Sequence, residues 1–539
     1  HKAMRIQKFD LDRLMTIIGE FGWYQKLVFF LLGLPTVAFA FQILGWVFIG
    51  AELPHRCLLP FEDDPSHVSF VLPEDVREKY IPRDPKTGDW SECRYRGENN
   101  TEISCSKYVY DHSKMQSSVL QSWDLVCDRS WMSAATMTLF MVGLLVGSFV
   151  FGKVSDRFGR KMSLFLGIAI EAVFGLGSAL TPSLPMFMVF RFMCGFAGPG
   201  LFLTNYCLGF ELVGKSKRLT ISALSMLFFT IGYLINTLLA YLITDWRTLM
   251  LVVSLFNVSL LPLWWIIPES PRWLLSVGNV AEAEILFRRI SKFNKRPLPG
   301  DWLNIVTCKV VEEIPGKGMR IVQSDDEEER PTLWSLFRYP ELRCRTVNVC
   351  FNWFVCSGVY YGLSLNTSNL GGNPYINSFI SAAVEIPAIL VLFFLLDRVG
   401  RKKPTFVSLL LGGLSLLLTI AVPKDMTWAV TTLSMIGKLN ITVAYDTIYL
   451  YTAEMYPTSV RNVAVGLGSL FGRIGDVASP FINYLAKVWE PFPLLLFGLM
   501  SCSAGGLVFL FPETLSTSLP ETIHETKNLG KPKRCYETC

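Results

Sequence analysis

The chain has 539 residues, of which 51% are hydrophobic and 18% charged, and its mean hydropathy is +0.37. That is too apolar for a soluble multidomain protein with an ordinary polar surface, so the chain belongs in a membrane. A net charge of +5 does not mark a nucleic-acid binder, because the Lys and Arg residues sit in short loops between apolar runs rather than on one face.

The sequence opens HKAMRI, with Met4 its first methionine, and the charged, amphipathic stretch that follows lacks a cleavable signal pattern. Apolar runs of about 20 residues, enough to cross ~30 Å of hydrocarbon, then recur along the chain. They predict an all-α membrane protein of about twelve helices, near 27–49, 133–152, 162–181, 185–208, 219–243, 247–267, 345–365, 376–396, 405–422, 428–450, 463–487 and 492–511. The run with Arg191 and the run with Lys438 and Asp446 are the weaker ones by hydropathy.

Orientation follows from the basic residues of the short loops. Lys153, Arg157, Arg160 and Lys161, then Lys215, Lys217 and Arg218, then Arg398, Arg401, Lys402 and Lys403, then Arg461 fall on one side, which is cytoplasmic by the positive-inside rule. Both termini fall on that side as well. The opposite side holds a large insertion, 51–131, with Cys57, Cys93, Cys105 and Cys127 and a glycosylation sequon at Asn99. Four cysteines in an oxidising compartment suggest two disulfides, with three pairings open. The sequons at Asn366 and Asn440 fall at a membrane edge and inside a span, where no acceptor is expected. The chain therefore divides into an N-terminal segment (1–26), a six-helix bundle with the outer loop (27–267), a cytoplasmic linker (268–343), a second six-helix bundle (344–512) and a tail (513–539). In the linker, Ala281–Asn294 has helical spacing, and the acidic run Ser324–Arg330 reads as solvated. Cys535 and Cys539 in the tail read as free thiols.

Two charged turns, DRFGRK at Asp156–Lys161 and DRVGRKK at Asp397–Lys403, each join two long apolar runs. Asp156 and Asp397 are about 241 residues apart, Glu211 and Glu454 about 243, and Pro268 and Pro512 about 244. A near-constant offset implies two halves of one topology, related by an axis along the membrane normal, with a substrate site at their interface.

The paired turns, RFMCG at Arg191–Gly195, PESPRWLL at Pro268–Leu275 and AEMYPTSVRN at Ala453–Asn462 resemble the major facilitator superfamily. HRC at His55–Cys57, WDLVCDR at Trp123–Arg129, YYGLSLNTSNLGG at Tyr360–Gly372 and GKLNITVAYD at Gly437–Asp446 are similar to its organic-ion transporters, of the solute carrier family 22 type, nearest the organic cation and carnitine branch. The resemblance covers about Phe21 to Pro520. It implies the major facilitator fold, alternating access, and the pairing Cys57–Cys105 with Cys93–Cys127.

Transport breaks no bond, so no catalytic residue, metal or cofactor is expected; a coupling ion, Na+ or H+, is left open. The protein is expected to work as a monomer. Ionisable side chains inside a membrane cost about 2.5–3.5 kcal/mol each and mark pathways or paired interior sites. Glu171, Arg191, Glu385, Lys438, Asp446, Arg473, Asp476 and Lys487 are the set. Arg473, in the glycine-rich LFGRIGDVASP, offers a planar fork suited to a carboxylate; the competing reading is that an acid such as Asp476 neutralises it. Within the resemblance, dedicated cation carriers have an aspartate at that position, and anion and carnitine carriers an arginine. Asp446 and Glu385 supply negative charge for an ammonium, and the family places an acidic or polar residue at both. Trp353, Tyr360, Tyr361, Tyr449, Phe202 and Phe229 are candidate rings for a quaternary ammonium, each worth about 0.5–2 kcal/mol; Trp353, Tyr360 and Tyr449 match family site positions.

On the cytoplasmic side, Asp156, Arg160, Glu211, Arg218, Glu269 and Arg272 in one half, and Asp397, Arg401, Glu454 and Arg461 in the other, are expected to tie the halves together when the carrier faces outward. GFELVGKS (Gly209–Ser216, with Gly214, Lys215 and Ser216) fits a nucleotide-loop pattern, but it follows no strand. The leading expectation is a plasma-membrane carrier of small organic cations or carnitine-like zwitterions. An organic-anion exchanger using Arg473 is the alternative within transport, and a non-transporting receptor or a nucleotide-hydrolysing enzyme the alternatives outside it.

Overall fold

The computed structural model describes residues 11–62, 68–83, 88–97, 101–306, 333–367, 370–423, 426–457 and 460–515; the side chains of Lys215 and Asp397, and the sequon Asn99, fall outside that description. A short amphipathic helix, α1 (Leu11–Ile18), precedes six long ones: α2 (Trp23–Leu44), α3 (Trp131–Phe158), α4 (Arg160–Ala179), α5 (Leu184–Pro199), α6 (Arg218–Leu242) and α7 (Trp246–Leu260). The linker contributes α8 (Val280–Asn294), whose Ala283, Leu286, Phe287 and Ile290 are buried, as its helical spacing predicts. The second half holds α9 (Pro340–Leu365), α10 (Pro374–Ala383), α11 (Glu385–Val399), α12 (Lys402–Leu418), α13 (Thr427–Met455), α14 (Arg461–Tyr484) and α15 (Phe492–Val508).

Every expected span finds a helix, and α10 with α11 supplies the eighth. Among the described residues, eight segments are long and apolar enough by composition to cross a bilayer. At 26, 29 and 24 residues, α9, α13 and α14 are long enough but too polar to join them. Their polarity has a use: Ser357 and Tyr360, Lys438 and Asp446, and Arg473 and Asp476 all lie on these three helices and turn toward the interior. Lipid-side residues such as Phe149, Leu238, Trp265 and Phe394 stay exposed on the bundle's surface, as a bilayer solvent requires.

Three irregularities are traceable to proline. Pro387 has no N–H for the Ala383 carbonyl, and the eighth span breaks between α10 and α11, immediately before Glu385. In α14, Pro480 frees the Asp476 carbonyl, which accepts the Ser479 hydroxyl at 3.0 Å instead. At Pro199 the fourth span widens into a π turn, Gly200–Thr204, before resuming at Asn205–Glu211; such turns recur at functional sites, and this one carries Phe202.

The outer loop is closed by Cys57–Cys105 and Cys93–Cys127, with Cα atoms 5.4 and 5.7 Å apart, the pairing that the family resemblance implied. The cross-links sit on two short antiparallel ladders: β1 (His55–Cys57) pairs with β4 (Tyr108–Tyr110), and β2 (Arg94–Arg96) with β3 (Glu102–Ser104).

The two basic turns are built alike. Gly159 has φ +100° and Gly400 φ +96°, and a Cβ would lie 2.2 Å from Glu269 Oε2 and 2.6 Å from Glu513 Oε2 respectively, so only glycine fits. The Arg160 and Lys161 N–H groups donate to Glu269 at 2.9 and 3.1 Å, and those of Arg401 and Lys402 to Glu513 at 3.0 and 3.2 Å. Arg160 then pairs with Glu211 at 3.1 Å, and Arg401 with Glu454 at 3.0 Å. Glu513 was missed in sequence, although it stands at the repeat offset from Glu269. Burial pushes the Glu269 carboxyl above its usual range despite its N–H donors. Burial also pushes Glu513 up, but the N–H groups of Arg401, Leu515, Thr514 and Lys402 outweigh it and hold that carboxyl below the usual range.

Candidate functional site

Between the halves lies a cavity of ≈100 Å3 whose lining includes Phe39, Phe202 and Tyr206 from the N-terminal half and Asp446, Tyr449 and Arg473 from the C-terminal half. One wall is therefore aromatic and apolar and the other charged. Phe39 and Phe202 have ring centroids 5.6 Å apart, Phe202 stacks on Tyr206 at 6.3 Å, and the Tyr206 hydroxyl is fixed 2.8 Å from Ser222. The volume is below the roughly 300 Å3 at which ligand pockets begin, so in this conformation the walls close to a small solute's width.

Arg473 Nη1 lies 3.0 Å from Asp476 Oδ2, and Asp476 is fully buried and also accepts the Ser357 hydroxyl. The guanidinium at the cavity is thus matched by its own carboxylate. Asp446 makes no hydrogen bond or ion pair among the described residues, and it lines the same cavity. With Arg473 already paired, Asp446 is an acidic group of this wall that no cation of the described residues neutralises.

The other sequence candidates divide. Tyr449 and Phe202 line the cavity. Trp353 stands behind Tyr449, with centroids 4.2 Å apart and its indole N–H on Thr452 at 3.0 Å; it is fully buried and braces the wall. Phe229 packs behind Phe202 at 6.3 Å, and Tyr361 is buried edge-on to Tyr360 at 5.1 Å. Glu385 is not available to a ligand's ammonium: Lys438 Nζ lies 3.1 Å from it, Tyr360 donates to it at 2.7 Å, and Thr230 of the other half donates at 2.9 Å. Tyr360 is thereby a member of this knot. The sequence reading missed Phe39 and Tyr206; in single-sequence form, both are indistinguishable from packing aromatics.

Contacts between the halves run from mid-helix to the ends that carry the disulfide-linked loop. They include Thr230–Glu385, Tyr233 to Ser381 at 3.3 Å, Phe48 stacked on Tyr375 at 5.5 Å, and Lys487 to Glu52 at 2.9 Å beside an outer vestibule of ≈530 Å3. In this conformation the charge clusters around the two basic turns pair without crossing the gap between the halves. Asp156–Arg160–Glu211 closes within the first half and Arg401–Glu454 within the second, while Arg218 and Arg272 both reach Asp12 of α1, at 2.9 and 2.5 Å. Arg461 donates to the Tyr456 carbonyl at 3.3 Å. In this conformation these groups staple each half to itself, because a partner on the same half is nearer than one across the gap.

The nucleotide-loop string does not form a cradle. It runs from the helix Asn205–Glu211 into a single turn at Lys215–Lys217, and the Ser216 N–H and hydroxyl donate to the Glu20 carboxylate at 3.1 and 2.7 Å.

A two-halved helical membrane protein with a charged cavity on the axis between its halves has the architecture of an alternating-access carrier. Residues 130–480 match the Major Facilitator Superfamily. The chain is 40% identical over 535 residues, 98% of its length and 96% of the relative's, to the organic cation transporter protein of Drosophila melanogaster. It is 33% identical over 540 residues, 96% of its length and 94% of the relative's, to the human organic cation/carnitine transporter 2. The chain belongs to the major facilitator superfamily and, within it, to the solute carrier family 22 organic-ion transporters. Its fold is shared with the partially occluded, inward-open xylose transporter XylE from E. coli, at a TM-score of 0.59 and 16% identity, covering 94% of this chain and all of that one.

Proposed function

We propose that the protein is a plasma-membrane carrier of small organic cations and zwitterions of the quaternary-ammonium type, working as a monomer by rocking of its two halves about the cavity. The observation that carries this reading is the unmatched Asp446 carboxylate in a cavity where Arg473 already has Asp476. Relatives named for organic cations and carnitine point the same way. The ammonium sits against Asp446 with the Tyr449, Phe202 and Phe39 rings around it, and a carboxylate, where the solute has one, reaches Arg473. The side of the basic turns is cytoplasmic and that of the disulfide-linked, glycosylated loop extracellular. The inner clusters exchange partners across the gap when the carrier faces outward. A cation is drawn inward by the membrane potential at about 2.3 kcal/mol per charge per 100 mV, so no nucleotide is required.

A guanidinium already matched by Asp476 weighs against an organic-anion exchanger. Proteoliposome uptake of tetraethylammonium and of carnitine tests the reading. Arg473→Ala is expected to depress carnitine uptake while sparing tetraethylammonium; unchanged carnitine uptake would refute the zwitterion assignment. No flux of either probe in the unsubstituted protein would favour a receptor.

A further inference from the structure

The N-terminal half contains a buried polar cluster, separate from the Asp446–Arg473 wall, that the transport cavity does not use. Glu171 on α4 is 0% exposed, and among the described residues neither carboxylate oxygen has a hydrogen-bond partner. Around it, on three other helices, further buried polar atoms lack partners: Gln42 Nε2 on α2, Arg191 Nε on α5, and Ser254 Oγ and both amide atoms of Asn257 on α7. The groups converge. A Cβ at Gly175, one turn beyond Glu171, would stand 2.6 Å from Ser254 Oγ and 3.3 Å from Gln42 Nε2. Asn257 lies one turn inward of Ser254 on α7, which runs against α4 in the opposite direction, and so faces the Glu171 level. Native interiors leave very few polar atoms unpaired, and such a concentration marks a place where something binds.

Arg191 defines what that is. It too is 0% exposed. Its Nη atoms reach the Gln42 carbonyl at 3.2 and 3.3 Å, and its guanidinium lies 4.3 Å from the Phe140 ring centroid, but among the described residues it has no carboxylate within ion-pair distance. Glu171 is the acid coupled to it electrostatically; Cys194, on the helix of Arg191, is the other titratable group that faces the pair. Gln42, Ser254 and Asn257 present only neutral groups. The carboxyl therefore has two self-consistent forms: ionised, it compensates the buried guanidinium, and protonated, it leaves Arg191 to Gln42 and Phe140. A proton needs no cavity to occupy, and each exchange takes one proton from water onto a Glu171 oxygen or returns it. The cluster is linked to the transport cavity by one turn of α2, from Gln42, which holds Arg191, to Phe39, which lines the cavity. Closure of the cavity wall and the state of Glu171 thus share one helix.

We propose that Glu171 is a proton-binding site of the N-terminal half and that its protonation is coupled to passage of the organic solute, so that the carrier moves protons as well. The coupling rests on the carrier reading above, whereas the proton site itself does not. Two measurements on the purified full-length chain test it. Infrared difference spectra across a pH titration should show a protonated-carboxyl C=O band that titrates in the unsubstituted protein and vanishes in Glu171→Gln; a spectrum identical in the two would overturn the site. In proteoliposomes with the potential clamped, an imposed pH gradient should change the initial rate of tetraethylammonium uptake several-fold. That response should be absent in Glu171→Gln, whatever its rate at equal pH. A Glu171→Gln protein with the full gradient response would overturn the coupling. A titrating band in a protein that takes up neither tetraethylammonium nor carnitine would sustain the proton site and refute the substrate class.

Discussion

Asp446 and Glu385 are both acids inside membrane helices, and one sequence rule assigned both to the solute. The structure separates them by what else each can reach. Glu385 is taken by Lys438, Tyr360 and Thr230, so it holds the two halves together; Asp446 is left facing the cavity. Replacing Asp446 with Asn should remove the ionic partner of a quaternary ammonium, which has no N–H to donate, and lower tetraethylammonium uptake about tenfold or more, the effect of losing ~1.4 kcal/mol or more of short-range charge attraction. Asp446→Glu should retain most of it, and radiolabelled uptake distinguishes the two. Lys438→Met, by contrast, strips a buried carboxylate of its cation and is expected to cost about 3–5 kcal/mol of stability, with Glu385→Gln/Lys438→Met recovering part of the loss in a thermal melt. Breaking one partner of a buried pair is worse than removing both.

At the scale of elements, the duplicated turns make the clearest unit. The glycine, the arginine and the outlying glutamate recur in both halves because each supplies one thing the turn lacks: a positive φ, a partner for the fourth- or tenth-helix acid, and an acceptor for the N–H groups that begin the next helix. Gly159→Ala is expected to lower the melting temperature, since the added Cβ meets Glu269 at 2.2 Å in a backbone conformation alanine rarely adopts. The two glutamates should respond oppositely to pH. Glu513 is held below its unfolded value, so its stabilisation is full above the usual carboxylate range and is lost as pH falls through its folded value. Glu269 is held above its unfolded value, so its contribution is full at low pH and declines as pH rises through its folded value. Melting curves of Glu513→Gln and Glu269→Gln against pH should therefore deviate from the unsubstituted protein with slopes of opposite sign. Both turns were legible in sequence as landmarks. Their partners were less so: Asp12, which receives Arg218 and Arg272, lies about 206 and 260 residues away, and no local pattern connects them.

For the whole molecule, the halves are joined at the ends that carry the disulfide-linked loop, and the charge clusters at the opposite ends pair without crossing between the halves. Glu52→Cys with Lys487→Cys, joined by a short bismaleimide, should hold this arrangement and abolish net uptake, while each single substitution should leave uptake sensitive only to solute. Uptake undiminished by cross-linking would rule out movement at those ends. The sequence by itself determined the membrane setting, the order of the long helices, the two-fold repeat and the family, because each is a property of composition, run length or spacing along the chain. It also named Asp446 and Arg473, since an ionisable residue in an apolar run is conspicuous wherever it points. Only the tertiary structure decided which of the acids is spoken for, which aromatics line the cavity, and that the charges around the basic turns pair without crossing between the halves. Those outcomes depend on which side chains meet across helices, and Asp476 beside Arg473 and Lys438 beside Glu385 look alike on paper until their distances are known.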